Sequence, residues 1–200
     1  MKITTNKFLT AVVASGLFAI AGTSIADSQY GYNSAAKGVS AQAHVDIKVT
    51  VPELVVLRVG DAKAIDVLEL SAQATVKSDP GLISADGNNV DAAWDGAVPG
   101  FEAKDQALGA YVWTNAKGVT LKCESDDKLT AINLDSGKVN VAADGDLKHP
   151  GATTACGDKI DIPQNKLQTA TWTYSIKPED LANAYAGTAT QRTTYTAANI

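Results

Sequence analysis

Val39-Ser40-Ala41-Gln42-Ala43-His44-Val45-Asp46-Ile47-Lys48-Val49-Thr50-Val51 alternates apolar and polar residues without a break. Seven apolar positions at period two match a strand with one buried face, because a helical face needs spacings of three and four. The run holds 13 residues, where a strand of about 5–6 is ordinary. This reading places Val45, Ile47, Val49 and Val51 in a core, with His44, Asp46 and Lys48 on the opposite face. Pro52 interrupts the ladder, having no N–H to give it.

Working outward toward the C-terminus, the same alternation recurs in short pieces. Residues 54–59, 65–70, 72–76, 108–114, 119–123, 129–134, 139–143, 160–162, 170–176 and 188–198 read as strands or continuations of them. Ser136-Gly137 reads as a hairpin-like turn. Pro178-Glu179-Asp180-Leu181-Ala182-Asn183-Ala184 is the one helical turn, with proline at the first position and acids beside it. Between residues 78 and 107 the pattern fails under close-set turn signals, Asp79-Pro80-Gly81, Asp86-Gly87-Asn88-Asn89 and Val98-Pro99-Gly100. A second loop runs over 144–159. About nine short strands and almost no helix predict an all-β chain, a Greek-key β-sandwich of immunoglobulin-like type.

Toward the N-terminus, Lys2 and Lys7 precede an apolar run of 14 residues, 8–21, and Ser24-Ile25-Ala26 offers small residues for a cut before Asp27. The run is shorter than the ~20 residues a membrane-spanning helix needs. Residues 1–26 therefore read as a secretory signal peptide, 27–43 as a flexible extension, and 44–200 as the sandwich domain. Cleavage removes two lysines and no acid, leaving 15 basic against 22 acidic residues, a net charge of −7. Scattered basic residues on an acidic chain offer no footprint for phosphate backbones, which excludes nucleic acid as a partner. Only ten aromatics follow residue 26, too few for the aromatic girdles of a membrane barrel.

Cys123 and Cys156 are the only cysteines, and in an exported chain an even pair reads as a disulfide. No residue pattern announces a reaction or a cofactor. His44 falls on the polar face of the long alternating run, and His149 sits in a loop with no nucleophile beside it. There is no nucleophile elbow, phosphate loop or zinc-protease helix. Asp86-Gly87-Asn88-Asn89-Val90-Asp91 fails the calcium-loop pattern at Val90 and Asp91. Trp113 and Trp172 lie in alternating strands and read as core, whereas Trp94 lies in the long loop and is the better candidate of the three for an exposed contact. The chain is expected to be no enzyme, with no catalytic residue, cofactor or metal.

Two stretches resemble a known class. The opening strand Val45-Asp46-Ile47-Lys48-Val49-Thr50-Val51-Pro52, and Ala186-Gly187-Thr188 leading into a closing Thr/Tyr strand, are similar to exported β-sandwich subunits of bacterial surface fibres, the fimbrial or pilin-like and spore-coat-U-like proteins. The disulfide departs from chaperone–usher pilins, where the bridge lies near the start of the domain, because Cys123 and Cys156 lie in its second half. The resemblance implies a structural subunit at the cell surface that self-associates by β-strand addition, with an export chaperone in transit. Val39, Ala41 and Ala43 are then the candidate donor strand, and a strand paired within its own sheet is the alternative. A monomeric binding module for sugar or protein, presented by the two long loops, is the second functional expectation.

Overall fold

The computed structural model describes residues 29–35, 37–77, 83 and 86–199, so the expected signal peptide lies outside the described residues. The chain divides into two units, residues 1–50 and 51–200.

In the first unit the described residues carry neither helix nor strand. This overturns the expectation of a core strand here. Val45, Ile47 and Val49 are 83%, 82% and 77% exposed, and Val51, which opens the second unit, is 72% exposed. His44, Asp46 and Lys48 are exposed as well, so the segment has no buried face at all. Alternation gives the run a side suited to a sheet, but burying that side needs a sheet edge to pair with, and none of the described strands pairs with it.

The second unit is built from antiparallel strands, nine among the described residues. One sheet orders β1 (Val55–Val59), β4 (Gln106–Thr114), β8 (Gln168–Ile176) and β6 (Val139–Gly145) side by side. Another orders β7 (Ile160–Asp161), β5 (Thr120–Ser125) and β9 (Thr193–Ala198). A hairpin of β2 (Ala72–Thr75) and β3 (Gly100–Ala103) forms the remaining pair, and Phe101 and Ala103 pack it onto the core. The expected all-β sandwich with one disulfide is what the chain forms. The chain crosses between the two main sheets at each step from β4 to β9, which gives the Greek-key winding.

Alternation in β4, β5, β6 and β8 delivers one core. Ala110, Val112, Leu121, Val139, Val141, Trp172, Tyr174 and Ile176 are buried, as are Val119, Leu134, Leu147 and Ile162 from the connections. Trp172 thus lies in the core, as its alternating strand implied. Trp113 does not, because its partner in register is Val56 and both point away from the core, leaving Trp113 half-buried on the outer face. Beside them Arg58 stacks 4.0 Å above the Tyr111 ring.

Two more expected strands, in the second unit, are absent. Residues 65–70 form no strand, although Leu68 and Leu70 still pack against the core. Residues 128–132 form a 3₁₀ turn, flanked by Asp127 and Asn133 at φ 52° and 57°. Asp and Asn tolerate this left-handed backbone better than other side chains. The Asp127 carboxylate accepts the Ser136 N–H at 2.9 Å and its hydroxyl at 2.7 Å, which folds the loop back on itself. The helix α1 (Pro178–Leu181) forms at the expected place.

Candidate functional site

Six strands build the two main sheets apart from the short β7. In chain order they are β1, β4, β5, β6, β8 and β9, and their arrangement is first-second-fifth-fourth in one sheet and third-sixth in the other. A seven-stranded immunoglobulin sandwich has that arrangement, with a seventh strand beyond the sixth. Among the described residues nothing occupies the seventh position, and β9 has β5 as its one partner.

The missing strand leaves a mark on burial. Most inward residues of β4, β5, β6 and β8 are buried, with Leu108 and Ala143 half-buried. By contrast Val55, Leu57 and Val59 of β1, and Thr193, Tyr195 and Ala197 of β9, are all only half-buried. Edge strands β1 and β9 lie next to one another, so these six side chains define one side of the sandwich where the core is incompletely covered. An edge of this kind presents unpaired N–H and C=O groups to any strand that can reach it.

The direction of the edge is fixed by its ends. The Asn199 side-chain amide donates to the Glu53 carboxylate at 3.2 Å, so β9 finishes where β1 begins and the two run antiparallel. Gly60 ends β1 at φ 78°, a conformation glycine adopts without strain, and its N–H donates to the Gly109 carbonyl at 2.8 Å.

Behind the edge lies a polar network that sequence reasoning missed. His149 is buried in the core, its Nδ1 2.8 Å from the Gly151 carbonyl and its Nε2 2.8 Å from the Tyr195 hydroxyl. The Tyr195 hydroxyl is in turn 2.9 Å from that of Tyr174. A carbonyl only accepts, so Nδ1 carries the proton and Nε2 accepts from Tyr195, which accepts from Tyr174. Burial holds the His149 pKa below its ordinary value and raises those of both tyrosines. Trp172 stacks edge-on against His149 at 4.9 Å and donates its indole N–H to the Leu147 carbonyl at 3.0 Å. Nothing in the sequence joins His149 to Tyr195 across 45 intervening residues, though His149 between the two cysteines could have suggested a stapled, buried loop.

Cys123 and Cys156 form the expected disulfide, with Cα atoms 5.6 Å apart. It ties the loop carrying His149 to β5. Trp94 is exposed in the 78–107 segment, its indole donating to the Ala97 carbonyl. No group of three potential metal ligands occurs among the described residues. Nor does any described helix have the length and apolarity to cross a membrane. A wide-open hollow of about 410 Å³ is lined by Glu53, Lys117 and the amides of Asn115, Gln164 and Asn165, without a histidine. Val39, Ala41 and Ala43 lie in the first unit and are exposed.

Neither a family model, nor a curated protein, nor a solved structure matches this chain.

Proposed function

We propose that the chain is a structural subunit of an extracellular bacterial fibre, joined copy to copy by β-strand addition. The observation that carries this reading is a matched pair of deficits. Among the described residues, one side of the sandwich has half-covered apolar residues on β1 and β9 and no seventh strand, and residues 39–51 hold an alternating apolar row that is exposed and paired with no strand. Strand addition remedies both, main-chain hydrogen bonds supplying affinity and alternate side chains filling the gap. Val45, Ile47, Val49 and Val51 are bulkier than Ala41 and Ala43, so the donor extends through both groups, with the larger side chains giving most of the buried area.

Chain direction favours a partner copy over self-insertion. The segment before Pro52 leaves from the end at which β9 finishes, so folding back within one chain would lay it parallel to β9. A second copy can present the same segment antiparallel, the pairing with the better hydrogen-bond geometry. Export and cell-surface location belong to the same reading, and a disulfide suits an oxidising compartment.

Negative-stain microscopy of the purified mature chain tests it. Filaments or linear chains are expected. Single particles at all concentrations would leave the monomeric binding module, with exposed Trp94 as its first contact to examine.

A further inference from the structure

On that reading the extension must leave the sandwich at a defined point, and the structure assigns that task to Asn115. The register of β1 on β4 begins at Val55 opposite Thr114. Asn115 lies one residue beyond, and its side chain continues the ladder. Its Oδ1 accepts the Leu54 N–H at 2.7 Å while its Nδ2 donates to the Pro52 carbonyl at 2.8 Å. The Asn115 N–H donates to the Leu54 carbonyl at 3.2 Å, which also accepts the Thr114 hydroxyl at 3.0 Å. One carboxamide thus serves as both donor and acceptor to a segment that no strand holds, as a main-chain peptide would. The Asn115 carbonyl accepts in turn from the Gln164 amide, and the Asn165 N–H donates to the Thr114 carbonyl at 2.7 Å, bracing the end of β4.

The placement has a mechanical consequence. β1 is a five-residue strand paired on one side only, whereas β4 is a nine-residue strand paired on both. Load arriving through an extension tied only to β1 would peel an edge strand bond by bond. With residues 52–54 bonded to Asn115, the load and the orientation of the extension pass directly into an inner strand. Asn115 is therefore a positioning residue that sets how stiffly successive subunits are joined. It contributes nothing to the donor's own fit in the next copy.

The test compares the mature wild-type chain with Asn115→Ala and Asn115→Asp. Hydrogen exchange of the monomer should show the Leu54 amide protected in wild type and faster by at least about tenfold in Asn115→Ala. Melting temperatures should stay close, since residues 52–54 are exposed. Filaments of Asn115→Ala should still form, with a persistence length at least about twofold shorter. Asn115→Asp keeps the acceptor for Leu54 and loses the donor to Pro52, so it should fall between, and it carries the test if Asn115→Ala fails to fold. Filaments of unchanged stiffness from both variants overturn this inference alone. Absence of filaments from wild type overturns the fibre reading and this inference with it.

Discussion

His149 Nε2 lies 2.8 Å from the Tyr195 hydroxyl, and the Gly151 carbonyl on the other ring nitrogen fixes which of the two donates. The bond runs from a tyrosine of edge strand β9 to a neutral imidazole. The rings packed on it, Trp172, Tyr174 and Tyr195, carry no charge that could stabilise an imidazolium. Protonation would turn Nε2 into a donor, reverse the Tyr195 hydroxyl toward Tyr174, and leave the Tyr174 proton to find another acceptor.

Stability should therefore fall in acid. Burial depresses the His149 pKa in the fold, so the unfolded chain takes up the proton first as pH drops below about 6.5, and the loss continues until the folded ring protonates. One proton sets the slope at no more than about 1.4 kcal/mol per pH unit. His149→Gln, which does not titrate, should flatten denaturant midpoints between pH 7 and 5. Asp126 and Asp127 also have depressed pKa values, from the Arg192 N–H and from Ser136 respectively, and their stabilisation is lost only at lower pH. On the alkaline side the raised pKa values of Tyr174 and Tyr195 act oppositely, and stability should decline above about pH 10. A flat midpoint from pH 7 to 5 in wild type would show that the imidazole is not held neutral by the core.

Trp172 is the largest wholly buried side chain, with its indole N–H satisfied by Leu147. Trp172→Ala should cost about 3–5 kcal/mol through lost transfer energy and a residual cavity. Trp172→Phe should cost less but still leave the Leu147 carbonyl without this donor. Guanidinium titration followed by far-ultraviolet circular dichroism measures both.

Removing the disulfide with Cys123→Ser and Cys156→Ser together should lower stability by about 2–5 kcal/mol, the range for a native bridge in a small exported domain. Because the staple holds the His149 loop to β5, near-ultraviolet dichroism from the Trp172 and Tyr195 rings should weaken before the far-ultraviolet signal is lost. Equal loss of both signals at one denaturant concentration would mean that the loop is held by its other contacts, among them Thr154 N–H to the Val139 carbonyl at 2.9 Å.

Period-two alternation was informative wherever a neighbouring strand lay in the same chain, as at Leu121 and Trp172. It misled at Ile47 because alternation records which sheet face a segment suits and says nothing of whether a neighbouring strand pairs with it. At Leu129 and Ile132 the apolar spacing suited either a strand or a tight turn, and the left-handed Asp127 and Asn133 decided for the turn. The His149–Tyr195–Tyr174 chain was invisible for a different reason, since three residues from a loop and two strands meet only after both sheets have formed. The open edge was equally hidden, because the order of strands in space is not written in the order of strands along the chain.

The last expectation bears on assembly. Ile47 is more than four-fifths exposed, so Ile47→Asp removes little packing from the folded monomer, and its melting temperature should stay within about 2 °C of wild type. If residues 39–51 enter the gap beside β9 in another copy, the same carboxylate would be driven against the half-covered apolar residues of that edge, where burying an unpaired charge costs several kcal/mol. Filaments should then be lost while the monomer is unharmed. Ala41→Asp, and deletion of residues 27–43, probe the smaller side chains of the row and should weaken assembly to a lesser degree than Ile47→Asp. A strand that served its own sheet would behave otherwise, because the aspartate would lower the melting temperature of the monomer along with any assembly. Sedimentation velocity and negative-stain microscopy on the same samples separate these outcomes, and filaments that form normally with Ile47→Asp and Ala41→Asp combined would sink strand donation by this segment.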